Sequence, residues 1–160
     1  MQIINTGGTF NKIYDPIRGE LVVPEDSKAV EEIVSLMALD IDVVGIIFKD
    51  SLEMDEADRA LLAQTIASTP HRSVVVVHGT DTMDRSAAFV AERAYEKCVV
   101  FTGAMIPYSI EPREAVSNLT LAIAKALYAF ESGVFVAMHG LVAEYDRIYK
   151  DRKRGLFCLR

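Results

Sequence analysis

The sequence predicts an α/β fold, a three-layer sandwich built on a mainly parallel sheet. Strand-like apolar runs alternate with helical segments along the chain, and runs such as residues 74–77 are solidly apolar. Strands covered on both faces have this composition, and parallel sheets are nearly always covered on both faces. Alternation of such strands with helices is typical of helices packed on both sides of a sheet. The 160 residues, 51% of them apolar, fit a single globular domain.

The first strand is predicted at Ile3 and Ile4, and a Gly-rich turn, Thr6-Gly7-Gly8-Thr9, follows it directly. From there to Pro24 no clear period is present, which predicts a long loop with room for a small hairpin at residues 21–23. A helix then begins at Asp26 or Ser27, since either side chain can cap it. Its apolar stripe has helical spacing and consists of Val30, Ile33, Val34 and Met37.

The remaining elements alternate in the same way. Strands are predicted at residues 43–48, 73–77, 99–101 and 133–138. Helices are predicted at about 55–67, along a stripe from Met83 to Ala94, and along a stripe from Leu119 to Phe130. Residues 141–160 favour neither element. No internal repeat or linker divides the chain, so residues 1–160 are predicted to form one domain.

Polar segments follow four of the predicted strands, at residues 6–9, 50–51, 79–82 and 102–103. In an open parallel sheet, ligands bind beyond the carboxyl ends of the strands, so these segments are expected along one edge. Each segment taken singly also fits an ordinary turn or helix cap. The phosphate-binding patterns GxxxxGK[ST] and GxGxxG are absent, which argues against a nucleotide site.

Hydroxyl groups dominate these segments, which suggests nucleophilic catalysis by a threonine. A threonine hydroxyl needs a base to take its proton. No Ser-His-Asp arrangement is visible, and His78 and His139 each end a predicted strand, which favours structural roles for both. A lysine whose pKa is lowered by burial, held by a carboxylate, is then a candidate base, and Asp81 is a candidate for that carboxylate. Spacing alone does not select the lysine.

Charge and cysteine content exclude several function classes. Lys and Arg number 17 against 23 Asp and Glu, and the resulting net charge of −6 disfavours nucleic-acid binding. No apolar run approaches the ~20 residues that a membrane helix needs, and the start of the chain lacks a signal-peptide layout. Cys98 and Cys158 have no CxxC spacing. We therefore expect a cytoplasmic protein without a disulfide or zinc framework.

Three motifs together resemble the bacterial-type L-asparaginase family: TGGT at residues 6–9, HGTDTM at 78–83 and TGAMIP at 102–107. The similarity runs from Met1 to about Lys150 and covers the family's N-terminal domain. The resemblance implies a single catalytic domain over residues 1–160, of the asparaginase N-terminal type. The family's C-terminal domain, which completes the pocket of a neighbouring subunit, is expected to be absent.

The resemblance also implies roles for individual residues. The second threonine of TGGT is the family's nucleophile, and a threonine, an aspartate and a lysine form the second catalytic group. The implied catalytic residues are Thr9, Tyr14, Thr80, Asp81 and Lys150, and the implied substrate-binding residues are Gly8, Asp50, Ser51 and Gly79. Tyr14 is taken from the loop after TGGT. No metal or organic cofactor is implied.

The implied function is that of an amidohydrolase, which converts asparagine or a related small amide to the acid and ammonia. Two alternatives stay open: a binding protein for small acids such as aspartate, and a subunit of a larger assembly. Leu52 motivates the first alternative, because many family members have a polar residue there. A lone domain would expose an apolar interface, so a homo-oligomer, either a dimer or a tetramer, is expected. The basic run at residues 150–154 is interpreted as a solvated tail.

Overall fold

Strands and helices alternate along the chain in the computed structural model, which describes residues 1–93, 96–128 and 131–160. The strands are β1 (Gln2–Gly7), β2 (Ile13–Asp15), β3 (Glu20–Val22), β4 (Asp42–Lys49), β5 (Ser73–Val77), β6 (Cys98–Thr102), β7 (Gly133–Met138), β8 (Leu141–Glu144), β9 (Ile148–Asp151) and β10 (Leu156–Leu159). The helices are α1 (Lys28–Val34), α2 (Glu56–Ser68), α3 (Met83–Ala91) and α4 (Pro112–Tyr128), with a 3-10 turn at Thr9–Asn11.

Six strands form the central sheet in the order β4-β1-β5-β6-β7-β8. The first five are parallel, and β8 runs antiparallel to β7. Helices α1 and α4 pack on one face of the sheet, while α2 and α3 pack on the other. The prediction of a three-layer α/β sandwich with a mainly parallel sheet is therefore confirmed. The hairpin suspected near residue 21 is also present, since β2 pairs with β3.

Successive residues of the central strands enter different halves of the core, because side chains of a strand point to alternate faces. Ile3 packs with α1 and α4, whereas its neighbour Ile4 packs with α2 and α3. Val75 and Val76 on the adjacent strand divide in the same way. This arrangement explains why the central strands are apolar at every position.

Helix α2 has a side-chain cap, whereas α1 does not. Asp55 caps α2 by accepting a hydrogen bond from Asp58 N, and the Asp58 carboxylate accepts one from Asp55 N. Ser27 is the N-cap residue of α1, but its side chain makes no capping hydrogen bond, so the predicted side-chain cap is wrong for Ser27. Helix α1 ends at Val34, so Met37 of the predicted stripe lies beyond the helix. The stripe residues Ala94 and Phe130 lie outside the described residues.

Strand β4 differs from its prediction as a strand covered on both faces. It lies at the edge of the sheet and is only partly buried along its length. Its pairing with β1 shifts between Asn5 and Gly7, where Ile47 and Phe48 adopt left-handed backbone conformations with φ of 72° and 53°. An apolar run marks a strand but does not distinguish a central position from an edge position.

The last twenty residues form structure that the sequence left undecided. Strand β8 extends the sheet, and β9 pairs with β10 as a hairpin. Ile148 and Phe157, one on each strand, are buried in the core. The basic run at residues 150–154 is thus part of this hairpin, so its interpretation as a tail is wrong, although residues 152–154 are solvated as expected. Among the described residues, no helix combines the length and the apolar character that crossing a membrane requires.

Candidate active site

The ends of β1 and β5 meet at a direct contact between two glycines. A Cβ atom built on Gly8 would lie 2.5 Å from both Cα and N of Gly79, so no side chain fits there. Gly8 also has a φ of 75°, which favours glycine on its own account. The Gly-rich turn after β1 and the Gly-Thr-Asp segment after β5 are therefore held together by their main chains.

Two buried asparagines hold the Gly-rich turn in shape. Asn11 Nδ2 donates to Asn5 Oδ1 at 2.8 Å and to Gly7 O at 2.9 Å, and Gly7 N donates to Asn5 Oδ1 at 3.1 Å. Asn5 Nδ2 in turn donates to Ser27 Oγ at the start of α1. Sequence reasoning missed this network, although an asparagine inside the apolar strand β1 was a usable signal.

Thr9 begins the 3-10 turn directly after Gly8 and is half-buried, so its side chain is not enclosed by the core. Gly8 N donates to Lys49 O at 2.9 Å, which means that this N–H is already engaged. Three residues further on, Lys12 Nζ lies 2.6 Å from Asp50 Oδ2. These contacts attach the turn that carries Thr9 to the end of β4.

Ser51 is buried against the same glycine junction. A Cβ atom on Gly79 would lie 2.6 Å from Ser51 Cβ, so the two residues are in contact. Thr82 Oγ1 donates to Ser51 O at 2.7 Å, and Ser51 Oγ accepts from Thr82 N at 3.4 Å. The segments after β1, β4 and β5 therefore converge at one place, as parallel strand ends should.

Lys150 reaches this place from the β9–β10 hairpin. Its Nζ donates to Thr80 Oγ1 at 2.8 Å and to Asp81 Oδ1 at 3.0 Å. The Lys150 side chain is 14% exposed, so its ammonium is largely shielded from water. Because Lys150 donates to the Thr80 oxygen, the Thr80 hydroxyl hydrogen is free to point at another acceptor.

Arg152 is a second cation on Asp81, and the sequence analysis did not single it out. Arg152 Nη1 lies 2.7 Å from Asp81 Oδ1, and Nη2 donates to Asp81 O at 2.9 Å. The spacing was only a partial signal, because residues two apart point to the same side on a strand, whereas Arg152 lies in the turn directly after β9.

Hydrogen bonds and charges shift the pKa of Asp50, and burial shifts that of His78. Burial raises the pKa of Asp50, but hydrogen bonds from Lys12 Nζ and Leu52 N and the charges of Lys12 and Lys150 outweigh it and lower this pKa overall. Complete burial lowers the pKa of His78 to about 4, so its imidazole is neutral at pH 7. The His78 Nδ1 atom lies 2.8 Å from Gly79 O, which fits the predicted structural role.

The fourth polar segment, after β6, supports the site from the side. Glu114 accepts hydrogen bonds from Met105 N at 2.8 Å and from His139 Nε2 at 3.0 Å. His139 Nδ1 accepts from Phe157 N at 3.1 Å, which fixes its tautomer with the proton on Nε2. This chain of contacts ties the segment after β6 to the hairpin that carries Lys150.

Tyr14 lies on the β2–β3 hairpin, outside the three segments that converge at Gly79. It is on β2 opposite Leu21 and is 61% exposed. An open groove of about 500 Å³ separates the β2–β3 hairpin from the segment after β4, and Leu21, Asp50 and Leu52 are among its lining residues. The role implied for Tyr14 stays a prediction. Within the described ranges, no group of three or more His, Cys, Asp or Glu side chains could hold a metal ion.

The fold and the site together define a class: an α/β protein with hydroxyl, carboxylate and lysine side chains gathered at the carboxyl edge of a parallel sheet. The chain belongs to the asparaginase family, since the model of the asparaginase N-terminal domain matches residues 1–158.

Relatives and solved structures agree with this assignment. Two relatives are subunits of glutamyl-tRNA(Gln) amidotransferase, one from Archaeoglobus fulgidus at 28% identity and one from Haloquadratum walsbyi at 31% identity, over 90% of this chain in each case. The matches cover 35% and 34% of those proteins, so the chain spans about a third of their length.

Two solved structures share the fold over 99% of this chain. The thermostable L-asparaginase from Thermococcus kodakarensis has a TM-score of 0.83 and 23% identity. A probable cytoplasmic L-asparaginase from Campylobacter jejuni has a TM-score of 0.79 and 27% identity. The alignments cover 50% and 52% of those chains, so this chain spans about half their length.

Proposed function

We propose that this protein hydrolyses a small linear amide, with Thr9 as the nucleophile. One observation carries the proposal: Lys150 Nζ bonds both Thr80 Oγ1 and Asp81 Oδ1 at the segment whose Gly79 touches Gly8. A hydroxyl nucleophile and a lysine-carboxylate group thus lie on two segments joined by their backbones. Family membership and the names of the solved asparaginases support the same chemistry.

The reaction proceeds by acyl transfer in two halves. Thr9 Oγ1 attacks the amide carbon, and the Lys150 ammonium supplies a proton through Thr80 Oγ1 to the leaving nitrogen. The Lys150 amine formed in this way takes up the proton that Thr9 loses, so Nζ becomes an ammonium again. The C–N bond breaks, ammonia leaves, and an ester joins the acyl group to Thr9. Water then attacks this ester and returns the proton to Thr9, which releases the acid. Asp81 keeps the Lys150 ammonium in place, while Asp50 and Ser51 face the substrate from the end of β4.

Replacement of Thr9 tests the proposal directly. We expect Thr9→Ala to lower ammonia release by about 10³-fold or more, because it removes the attacking atom. Thr9→Ser should retain part of the activity, since it keeps a hydroxyl. Thr120→Ala, on the exposed side of α4, is the matched control and should behave as the unmodified protein. Equal rates for Thr9→Ala and the control would remove Thr9 from the mechanism.

A second candidate function is a subunit role, in which this domain supplies the amide-cleaving half to a partner chain. The specific observation that favours it is that both curated relatives are named as subunits of an amidotransferase. Stable co-purification of an untagged partner whose presence raises ammonia release would support this role.

If calorimetry instead detects tight binding of asparagine that is recovered unchanged, the domain acts as a binding protein for small acids.

We infer a homo-oligomer, either a dimer or a tetramer, in the cytoplasm. Large apolar side chains at the surface, among them Leu36 and Ile110, support self-association. Two free cysteines and the cytoplasmic relative from Campylobacter jejuni support the location. Light scattering that gives the mass of one chain at every concentration would contradict the oligomer.

A further inference from the structure

Asp81 is the only carboxylate of the described site that accepts two cationic side chains. Arg152 Nη1 and Lys150 Nζ both bond its Oδ1 atom, at 2.7 and 3.0 Å. The Arg152 guanidinium also donates to the Asp81 carbonyl oxygen, so it binds both the side chain and the main chain. A planar guanidinium with two bonds to one residue holds a defined orientation.

The ion pairs at the site leave an excess of positive charge. Lys12 pairs with Asp50, while Lys150 and Arg152 share Asp81. These pairs therefore contain three cations and two carboxylates. Each carboxylate already faces at least one protein cation, so its negative charge attracts a substrate ammonium less strongly. A substrate carboxylate would meet a site with one positive charge unmatched.

Leu52, the residue after Ser51, offers no polar group that could bind a substrate ammonium. Leu52 is 67% exposed beside Asp50, and it lines the open groove next to the site. Its side chain offers neither a donor nor an acceptor. An ammonium placed on this side would lose water without gaining a hydrogen bond from Leu52, and that loss is unfavourable.

We propose that Arg152 is a specificity-determining residue, which makes the site select small amides that carry a carboxylate and no free ammonium. This inference rests on the proposed amidohydrolase function and narrows its substrate class. Arg152 acts through Asp81: it pairs with Oδ1 of the carboxylate, offsets its negative charge and raises the local positive charge. The Arg152 side chain itself is 63% exposed, so a neutral replacement opens Asp81 without creating a cavity in the core.

A matched pair of unreactive ligands tests the inference. Succinate and aspartate have the same two carboxylates and differ only in the ammonium group. Calorimetry on the full chain should show that succinate binds at least about tenfold tighter than aspartate. In Arg152→Met the preference for succinate should fall about tenfold, because Asp81 becomes available to the ammonium of aspartate.

Two further variants separate specificity from a loss of structure. Arg152→Lys keeps the charge and should keep most of the preference. Arg154→Met removes an arginine from the same turn, where its Nη1 contacts the weak acceptor Cys158 Sγ at 3.6 Å, and should leave the preference unchanged. The ratio of the two affinities is the readout, because partial unfolding lowers both affinities together. The preference of the unmodified protein is a test that needs no variant.

The outcomes distinguish this inference from the proposed function. The same variants are assayed for ammonia release from succinamate and asparagine, a pair that again differs only in the ammonium. Ammonia release with an unchanged ratio in Arg152→Met would overturn the inference and leave the proposed function standing. A shifted binding ratio without ammonia release would support the inference and contradict the function. Tighter aspartate binding in the unmodified protein, or no binding of either ligand, would overturn the inference.

Discussion

Two hairpins at the edge of the sheet use the same turn and yet have different surroundings. In the β2–β3 hairpin, Asp15 Oδ1 accepts hydrogen bonds from Ile17 N and Arg18 N. Gly19 N donates to Asp15 O. In the β9–β10 hairpin, Asp151 and Gly155 make the same set of bonds. Gly19 and Gly155 have φ values of 72° and 64°. Local sequence therefore builds both turns in the same way.

The difference lies in what each hairpin packs against. The β9–β10 hairpin is anchored by Ile148 and Phe157, which pack in the core with residues of α3. Its Lys150 and Arg152 side chains also form ion pairs with Asp81. The β2–β3 hairpin carries Ile17 at its turn, where this side chain is 94% exposed. Two turns with the same hydrogen bonds therefore belong to hairpins with different packing. We call β9–β10 the anchored hairpin and β2–β3 the projecting hairpin. Anchoring comes from long-range contacts, not from the turn itself.

The largest expected effect concerns the lysine of the anchored hairpin. Lys150→Met should lower kcat/KM for amide hydrolysis by about 10²–10⁴-fold, because it removes the group that carries the proton. Lys153→Met, in the exposed turn of the same hairpin, should have no such effect. Tyr14→Phe on the projecting hairpin should cost less than Lys150→Met, as measured by ammonia release. An equal loss for Tyr14→Phe would mean that the projecting hairpin also enters the reaction.

Truncating a side chain should destabilise the protein more in the anchored hairpin than in the projecting hairpin. Phe157→Ala should lower the free energy of unfolding by about 3–5 kcal/mol, because it leaves a cavity in the core. Ile17→Ala should change it by less than about 0.5 kcal/mol, since the side chain is exposed. Urea unfolding of both variants at pH 7 measures the difference. Similar losses for the two variants would show that the projecting hairpin is packed in solution.

Acid should lower the free energy of unfolding of the protein through the buried His78. Burial lowers the pKa of this histidine from 6.5 to about 4, so protons bind the unfolded chain first as the pH falls. The contribution of His78 is complete above about pH 6.5 and decreases down to about pH 4. Between pH 7 and pH 5 the free energy of unfolding should therefore fall by about 2 kcal/mol from this group.

Urea unfolding at the two pH values measures this loss. His78→Gln should reduce it, whereas His71→Gln serves as the control, because His71 lies at the surface with only partial burial. The lowered pKa of Asp50 moves its titration below this range, so the carboxylate adds little to the change. An undiminished loss in His78→Gln would assign the acid sensitivity to other groups.

The sequence predicted much of the fold because burial on two faces leaves a mark on every position of a central strand. The runs at residues 74–77 and 133–138 were placed correctly for that reason. The convergence of the polar segments also follows from chain direction alone, since the carboxyl ends of parallel strands share an edge. Gly8, Gly79 and Ser51 lie together as that rule requires.

The remaining features depend on contacts between distant segments. The run at 43–48 has a central strand's composition but lies at the edge, because neighbours, not composition, decide position in a sheet. The basic run at 150–154 looks solvated until Asp81 is found 2.7 Å from Arg152. Asn5 stands out in the sequence as a polar residue in an apolar strand, but its partner Asn11 is recognisable only once the turn between them is folded.

The contact between Gly8 and Gly79 has a consequence for altering this protein by mutation. A larger residue at Gly8 would push against the main chain of Gly79, and a larger residue at Gly79 would push against Ser51, so either change would move segments of the site apart. New substrate preferences must therefore come from the rim, where Leu52 and Arg152 have room to vary. A library of variants should therefore keep the contact between Gly8 and Gly79 unchanged.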